Sequence, residues 1–239
     1  MVWGNFTPAH IITLFLAAAM VAGLGLGLRK ASKTVQLVVL GVLSFSGIAA
    51  IIFNLVAWDD PLQYLPLHLC SINAMLLPVA VLTRNKVIGN LLLVWCLGAV
   101  AAIILNYEVI NIKINSWTFF FYYFPHVMEF GIPVLLISLG LVKKDPRCIL
   151  STIAISAVIY TAVHFCNLYI NANTEETVNY MFSIRSTNPL TDLFYRILPY
   201  EYWYMYLVFP ILIVYLLVVY LPEILRYIKN KKQKNRVPL

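Results

Sequence analysis

Long apolar runs separated by short charged breaks govern what this chain can become. Of its 239 residues, 62% are hydrophobic and 11% charged, and the apolar runs are long enough to cross a hydrocarbon layer of ~30 Å. Breaks at Arg, Lys, Asp and Pro predict seven spans, roughly residues 9–28, 35–57, 62–82, 87–105, 117–141, 149–171 and 203–222. The runs are continuous and not alternating, so helices are expected and not a barrel. The fold class read from these features is all-α: one polytopic membrane domain over residues 1–239, a bundle of seven transmembrane helices.

The charges orient that bundle. Arg29, Lys30, Lys33, Arg84, Lys86, Lys143, Lys144, Arg147 and the tail residues Arg226, Lys229, Lys231, Lys232, Lys234 and Arg236 are 14 of the 17 basic residues, and all fall on one side. Lys113, Arg185 and Arg196 fall on the other, with Asp59, Asp60, Glu108, Glu175, Glu176, Asp192 and Glu201. Basic residues concentrate on the cytoplasmic side of membrane proteins, so the N-terminus is expected outside and the C-terminus in the cytoplasm. The net charge of +7 is then a topology signal. A basic tail over residues 226–239 suits anionic lipid headgroups, and no nucleic-acid partner is expected. Met1–Pro8 lacks a basic lead, and the first basic cluster follows the first apolar run, so this span is expected to be retained.

Most connections are short. The exception is the polar segment 171–202 on the outer side, long enough to be a lid, with Tyr180-Met181-Phe182 and Leu193-Phe194-Tyr195 able to dip into the interface. Trp58, Tyr64, Tyr107, Trp117, Tyr122, Tyr123, Tyr169, Tyr195, Tyr200, Tyr202, Trp203, Tyr204 and Tyr206 crowd the same side as an aromatic belt. Gly23, Gly25 and Gly27 have no strand before them and read as a close-packing helix face, not a phosphate loop. Cys70, Cys96, Cys148 and Cys166 lie in or beside different spans without metal-pair spacing, so neither a disulfide framework nor a cofactor is indicated.

Ionisable groups inside hydrocarbon are costly, and their depths are therefore informative. At 1.5 Å per residue, His68 and Cys70 lie ~9 and ~12 Å below the outer start of the third span, His126 ~13 Å below that of the fifth, and His164 ~10 Å from the outer end of the sixth. Glu129 is deeper, near ~18 Å. One polar layer can hold them, with Asn54, Asn73 and Asn167 as neighbours. Residues two apart on a helix point ~200° apart, so His68 is poorly placed to deprotonate Cys70. His126 meets the depth requirement, with Glu129 on its face, while Cys70 shares a face with Asn73. Pro66 opens the helix where the motif begins and can free backbone groups for an oxyanion. His10, near the interface, reads as an interhelical hydrogen-bond partner.

Leu65-Pro66-Leu67-His68-Leu69-Cys70, a histidine in the fifth span, and Asn179-Tyr180-Met181 followed by the aromatics of Tyr200–Tyr206 resemble the YwaF family of bacterial integral membrane proteins. That family is similar to animal transmembrane acyltransferases that remodel ether phospholipids through a cysteine acyl-enzyme, and more distantly to androgen-induced hydrolases of fatty-acid esters, which use Thr and His. The resemblance implies a multi-pass protein of the bacterial cell membrane with a phospholipid or fatty-acyl substrate. It implies Cys70 as nucleophile and His126 as its base, 56 residues apart. His68 then donates to the oxyanion or positions substrate, with Asn73, Glu129, His164 and Asn167 in substrate-binding or supporting places. The chain departs from the family pattern at Ser71, where members often carry an acid, and at Pro125 and Val127, which flank His126 where Ser and Gly are common. Two other readings use the same layer. One is a proton-coupled transporter or small-ligand receptor working through Glu129. The other is a zinc hydrolase with His68, His126 and His164 as ligands.

Overall fold

The computed structural model describes residues 2–105, 111–185 and 188–234; Tyr107, Glu108 and Arg236 lie outside the described residues. Among the described residues the chain is all-α but for one two-residue ladder, in which β1 (Val2–Trp3) pairs antiparallel with β2 (Ile112–Lys113). The helices are α1 (Pro8–Leu28), α2 (Lys33–Ser44), α3 (Ser46–Ala57), α4 (Leu69–Thr83), α5 (Lys86–Leu105), α6 (Trp117–Ser138), α7 (Cys148–Asn173), α8 (Pro189–Ile197) and α9 (Val208–Lys234). Short 3-10 turns cover Tyr180–Phe182 and Trp203–Leu207.

Local chemistry starts these helices. Thr7, Ser32, Ser116 and Asn188 each accept a backbone N–H from the first turn of α1, α2, α6 and α8, and Pro8 and Pro189 sit where a helix loses nothing by lacking an N–H. The stop of α6 is equally local. Gly140 adopts φ +70, and Leu141 and Val142 donate back to Leu136 O, both at 2.9 Å. That ends the fifth span three residues before the apolar run does.

Six stretches are long and apolar enough to cross a membrane: 8–28, 33–57, 86–105, 117–138, 148–173 and 203–226. In α5 and α6, 56% of the window is buried, against 11–28% in the other four. These two helices therefore form the centre, and the others expose apolar faces outward, as lipid-facing helices do. Within the second stretch the ladder breaks at Phe45, so α2 and α3 are one span with a joint. In place of a seventh full span there is α4, with 15 residues. The expected start at residue 62 fails because Pro61 and Pro66 cannot sustain the ladder, and His68 is extended at ψ 153. The final helix runs through Pro222 to Lys234, so the first part of the basic tail is helical.

Asn90 ties the basic end together. Its side chain donates to the carbonyls of Lys86 (2.7 Å) and Lys143 (3.0 Å) and accepts from Asp145 N–H (3.0 Å) and Tyr220 O–H (2.7 Å). Lys86 adds an ion pair to Asp145 at 2.8 Å. At the opposite end Trp3 is fully buried and donates to Thr13 Oγ1 at 2.8 Å, while His10 Nε2 meets Ile103 O of α5 at 2.7 Å.

Candidate functional site

Cys70 is the second residue of α4, and His68 is the residue just before that helix. The first turn-closing bond is Ile72 N–H to His68 O, 3.0 Å. The N–H groups of Leu69, Cys70 and Ser71 therefore precede the helix's own ladder and point out of its N-terminus. The His68 side chain does not cap them. An N-terminal turn of this kind favours anions, whether a thiolate or the oxyanion of an acyl intermediate. Proximity to that turn is what Pro66 and the extended His68 supply.

The two imidazoles are held in opposite senses. His126 Nδ1 lies 2.6 Å from Tyr122 O. A carbonyl only accepts, so Nδ1 carries the proton and Nε2 of the neutral ring has the lone pair, the form a general base needs. Pro125 withdraws one N–H from α6 at this turn, and the Tyr122 ring packs on His126 with centroids 4.5 Å apart. His68 Nδ1, by contrast, accepts Met181 N–H at 3.5 Å, leaving the proton of its neutral ring on Nε2, the form of a donor.

The relation between α4 and α6 follows from one deeper pair. Asn73 and Glu129, 1% and 3% exposed, face each other, with the amide acting on the carboxyl. Asn73 Nδ2 and Oδ1 and Glu129 Oε2 nevertheless make no hydrogen bond of good geometry. Both helices run from the end of the bundle covered by residues 178–184, the strap end, to the basic end, so they are parallel. Cys70 and His126 each lie three residues before their member of the deeper pair, one turn toward the strap end on the same helix faces. Gly47 of α3 closes the junction. A Cβ there would fall 2.4 Å from Ala74 Cβ and 3.8 Å from Glu129 Oε1.

His164 and Asn167 serve the segment that follows α7. Asn167 donates to Tyr180 O (2.9 Å) and Ser183 Oγ (2.8 Å) and accepts Tyr180 N–H (3.0 Å), while His164 Nδ1 meets Ser183 Oγ at 3.0 Å. Asn171 makes a reciprocal pair with Val178, at 2.8 and 3.0 Å. Tyr180 O–H donates to Leu62 O and Tyr204 O–H to Phe182 O. Residues 178–184 thus form a clamped strap over the start of α4, and Met181 and Phe182, at φ 54 and 53, turn the Met181 N–H toward His68. The other side of His164 opens on a cavity of about 400 Å³ lined with Thr161, Phe165, Glu201, Tyr202 and Trp203. An Asn167→Ala protein should lose strap order. Amides of 178–184 should exchange at least about tenfold faster, since buried Tyr180 groups lose their partner, while exchange in α5 stays unchanged.

A family model described as the TMEM164 family matches residues 5–220. The chain belongs to the TMEM164 family. No curated protein and no solved structure matches it. Membership makes this a membrane protein of that family, in agreement with the six apolar stretches. Within this TMEM164-family chain, no group of three His, Cys, Asp or Glu side chains that could hold a metal occurs among the described residues, so the zinc reading finds no ligand set there. Cys96 is buried in α5, donating to Leu93 O at 3.0 Å, and Cys148 is buried at the basic end. Cys166 faces outward. Sequence reasoning passes over Gly47, Ser183 and the backbone of Met181. The first signals only small size, and the other two act through groups that every residue or every serine has.

Proposed function

We propose that this protein is a membrane lipid acyltransferase or lipid-ester hydrolase that works through an acyl thioester on Cys70, in the outer leaflet, with the basic end of the bundle in the cytoplasm. What supports it best is the contact of Asn73 on α4 with Glu129 on α6, because Cys70 and His126 each precede their member of that pair by three residues, one turn along the same helix. The charge asymmetry of the two ends supports the orientation. The YwaF likeness supports the chemistry.

His126 Nε2 takes the thiol proton, and the Cys70 sulfur attacks the ester carbonyl carbon of a lipid. The carbonyl oxygen becomes an oxyanion, stabilised by the His68 Nε2–H and the first-turn N–H groups of α4. Collapse breaks the carbon–oxygen bond, and the departing alkoxide recovers the proton from the imidazolium, leaving an acyl thioester. His126 then deprotonates water or a lipid hydroxyl, which attacks the thioester, and the sulfur leaves as a thiolate that regains the proton. Asn167 and His164 contribute by fixing the strap that orients His68.

The test is mass spectrometry of protein purified from lipid bilayers. A hydroxylamine-sensitive fatty acyl group on Cys70, absent from Cys70→Ala, is expected; an acyl group on Cys166 instead, or on no cysteine, overturns the assignment. The burial of Glu129 beside Asn73, with Glu129 Oε2 lacking a hydrogen bond of good geometry, favours one competing reading, a proton-coupled transporter. In that case uptake into proteoliposomes requires Glu129 and tolerates Cys70→Ala.

A further inference from the structure

Helix α8 has an apolar face that none of the described residues covers. On a helical projection Pro189, Leu190, Leu193 and Ile197 fall within an arc of about 100°. Leu190, Leu193 and Ile197 are 38%, 52% and 63% exposed. The next sector, Phe194 and Thr191, is buried against the protein, where Tyr195 meets Tyr204 edge-on at 5.6 Å. The remaining edge is charged: Arg196 Nη2 and Nε reach Asp192 Oδ2 at 2.8 and 2.9 Å, one turn apart. A nine-residue helix thus leaves a bare apolar sector beside the one it buries, bordered by an ion pair.

What covers the bare half follows from where the helix is tethered. It lies between α7 and α9, both of which turn apolar faces outward, and exposed Tyr200 and Trp203 follow it within six residues. Rings of this kind prefer the headgroup level. Helices with one apolar face and one charged edge, too polar as a whole to cross the hydrocarbon, settle in the plane of the membrane, their apolar face a few ångströms into the acyl boundary. We infer that α8 is an in-plane interfacial helix whose Leu190, Leu193 and Ile197 insert among the lipids of the leaflet at the strap end, with the Asp192–Arg196 pair toward water. The contact is mechanically linked to the strap. Tyr204, packed against α8, also bonds the carbonyls of Phe182 and Ile184.

The inference does not depend on the proposed chemistry and is tested without it. In full-length protein carrying Cys70→Ser and Cys166→Ser, with Cys96 and Cys148 buried, a polarity-sensitive fluorophore is attached through Leu193→Cys, Ile197→Cys or Arg196→Cys and the protein is placed in phosphatidylcholine nanodiscs. Lipids with a nitroxide on an upper acyl carbon should quench the label at 193 and 197 at least about threefold more than at 196, and iodide should show the reverse order. Equal iodide quenching at all three sites would put the face in water and overturn the inference. So would cross-linking between two copies through Leu193→Cys without lipid quenching, which would make the occupant a second chain. Because all three side chains are exposed, none of the substitutions disturbs the packed interior, and intact near-ultraviolet dichroism checks this.

Discussion

A His126→Ala protein is expected to lose about a thousandfold in acyl-transfer rate while folding normally. The expectation comes from a single hydrogen bond: with Nδ1 donating to Tyr122 O at 2.6 Å, the neutral ring has its lone pair on Nε2. Without the imidazole, no base one turn above Glu129 receives the thiol proton, and low-dielectric surroundings work against a thiolate. Cys70→Ala should reduce transfer to the background rate, and the double variant should be no worse than Cys70→Ala alone, because in the proposed mechanism base and nucleophile act as one unit. His68→Ala should cost less, about a hundredfold, as expected for one oxyanion donor among several. Rates are read as labelled acyl chain moved between defined lipids in proteoliposomes. Retention of full activity by either His126→Ala or Cys70→Ala rejects the mechanism.

Gly47→Val should be the most damaging single change to stability, by about 3 kcal/mol, the upper range for overpacking. The added Cβ would come within 2.4 Å of Ala74 Cβ and 3.2 Å of Ala74 Cα. The second of those atoms is backbone, so α3 and α4 must part. A gap there admits hydrocarbon or water beside Asn73 and Glu129, whose Nδ2, Oδ1 and Oε2 already lack a hydrogen bond of good geometry. Gly47→Ala should be milder, and Ala74→Gly should recover part of its loss by removing the nearer atom. Gly23 and Gly27 provide controls, since nothing lies within 4 Å of a Cβ at either. Alanine there should leave the melting temperature unchanged or raise it, through a gain in helix propensity. Thermal melts in detergent decide it; equal effects at Gly47 and Gly23 would remove the close-approach argument.

Apolar run length and charged breaks make most of the architecture readable, because the hydrocarbon slab imposes both on any helix that crosses it. The third span is the exception. Its apolarity begins at Leu62, but run length does not register that Pro61 and Pro66 withhold two N–H groups within one turn and a half. Helical phase argues against His68 as a base, yet His68 precedes α4, where phase does not apply. The bond from Met181 N–H argues against a base role instead, since it occupies Nδ1. The pairing of Asn73 with Glu129 is legible in the sequence only as shared depth. Depth locates a layer but not a register, and register needs the relative rotation of α4 and α6. His164 and Asn167 match the layer as well but serve the strap, because their partners, Ser183 and the backbone of Tyr180, have no mark in the sequence.

The brevity of α4 changes what a lipid meets at that point of the perimeter. Fifteen residues make about 22 Å of helix in a slab of ~30 Å, so the outermost stretch beside α7 is coiled peptide, rich in carbonyls and amides. The ester linkages of a glycerolipid ride at that same level, just beneath its headgroup. A molecule drifting sideways in the leaflet can therefore bring its carbonyl to the mouth of α4 without leaving its neighbours or exposing its tails to water.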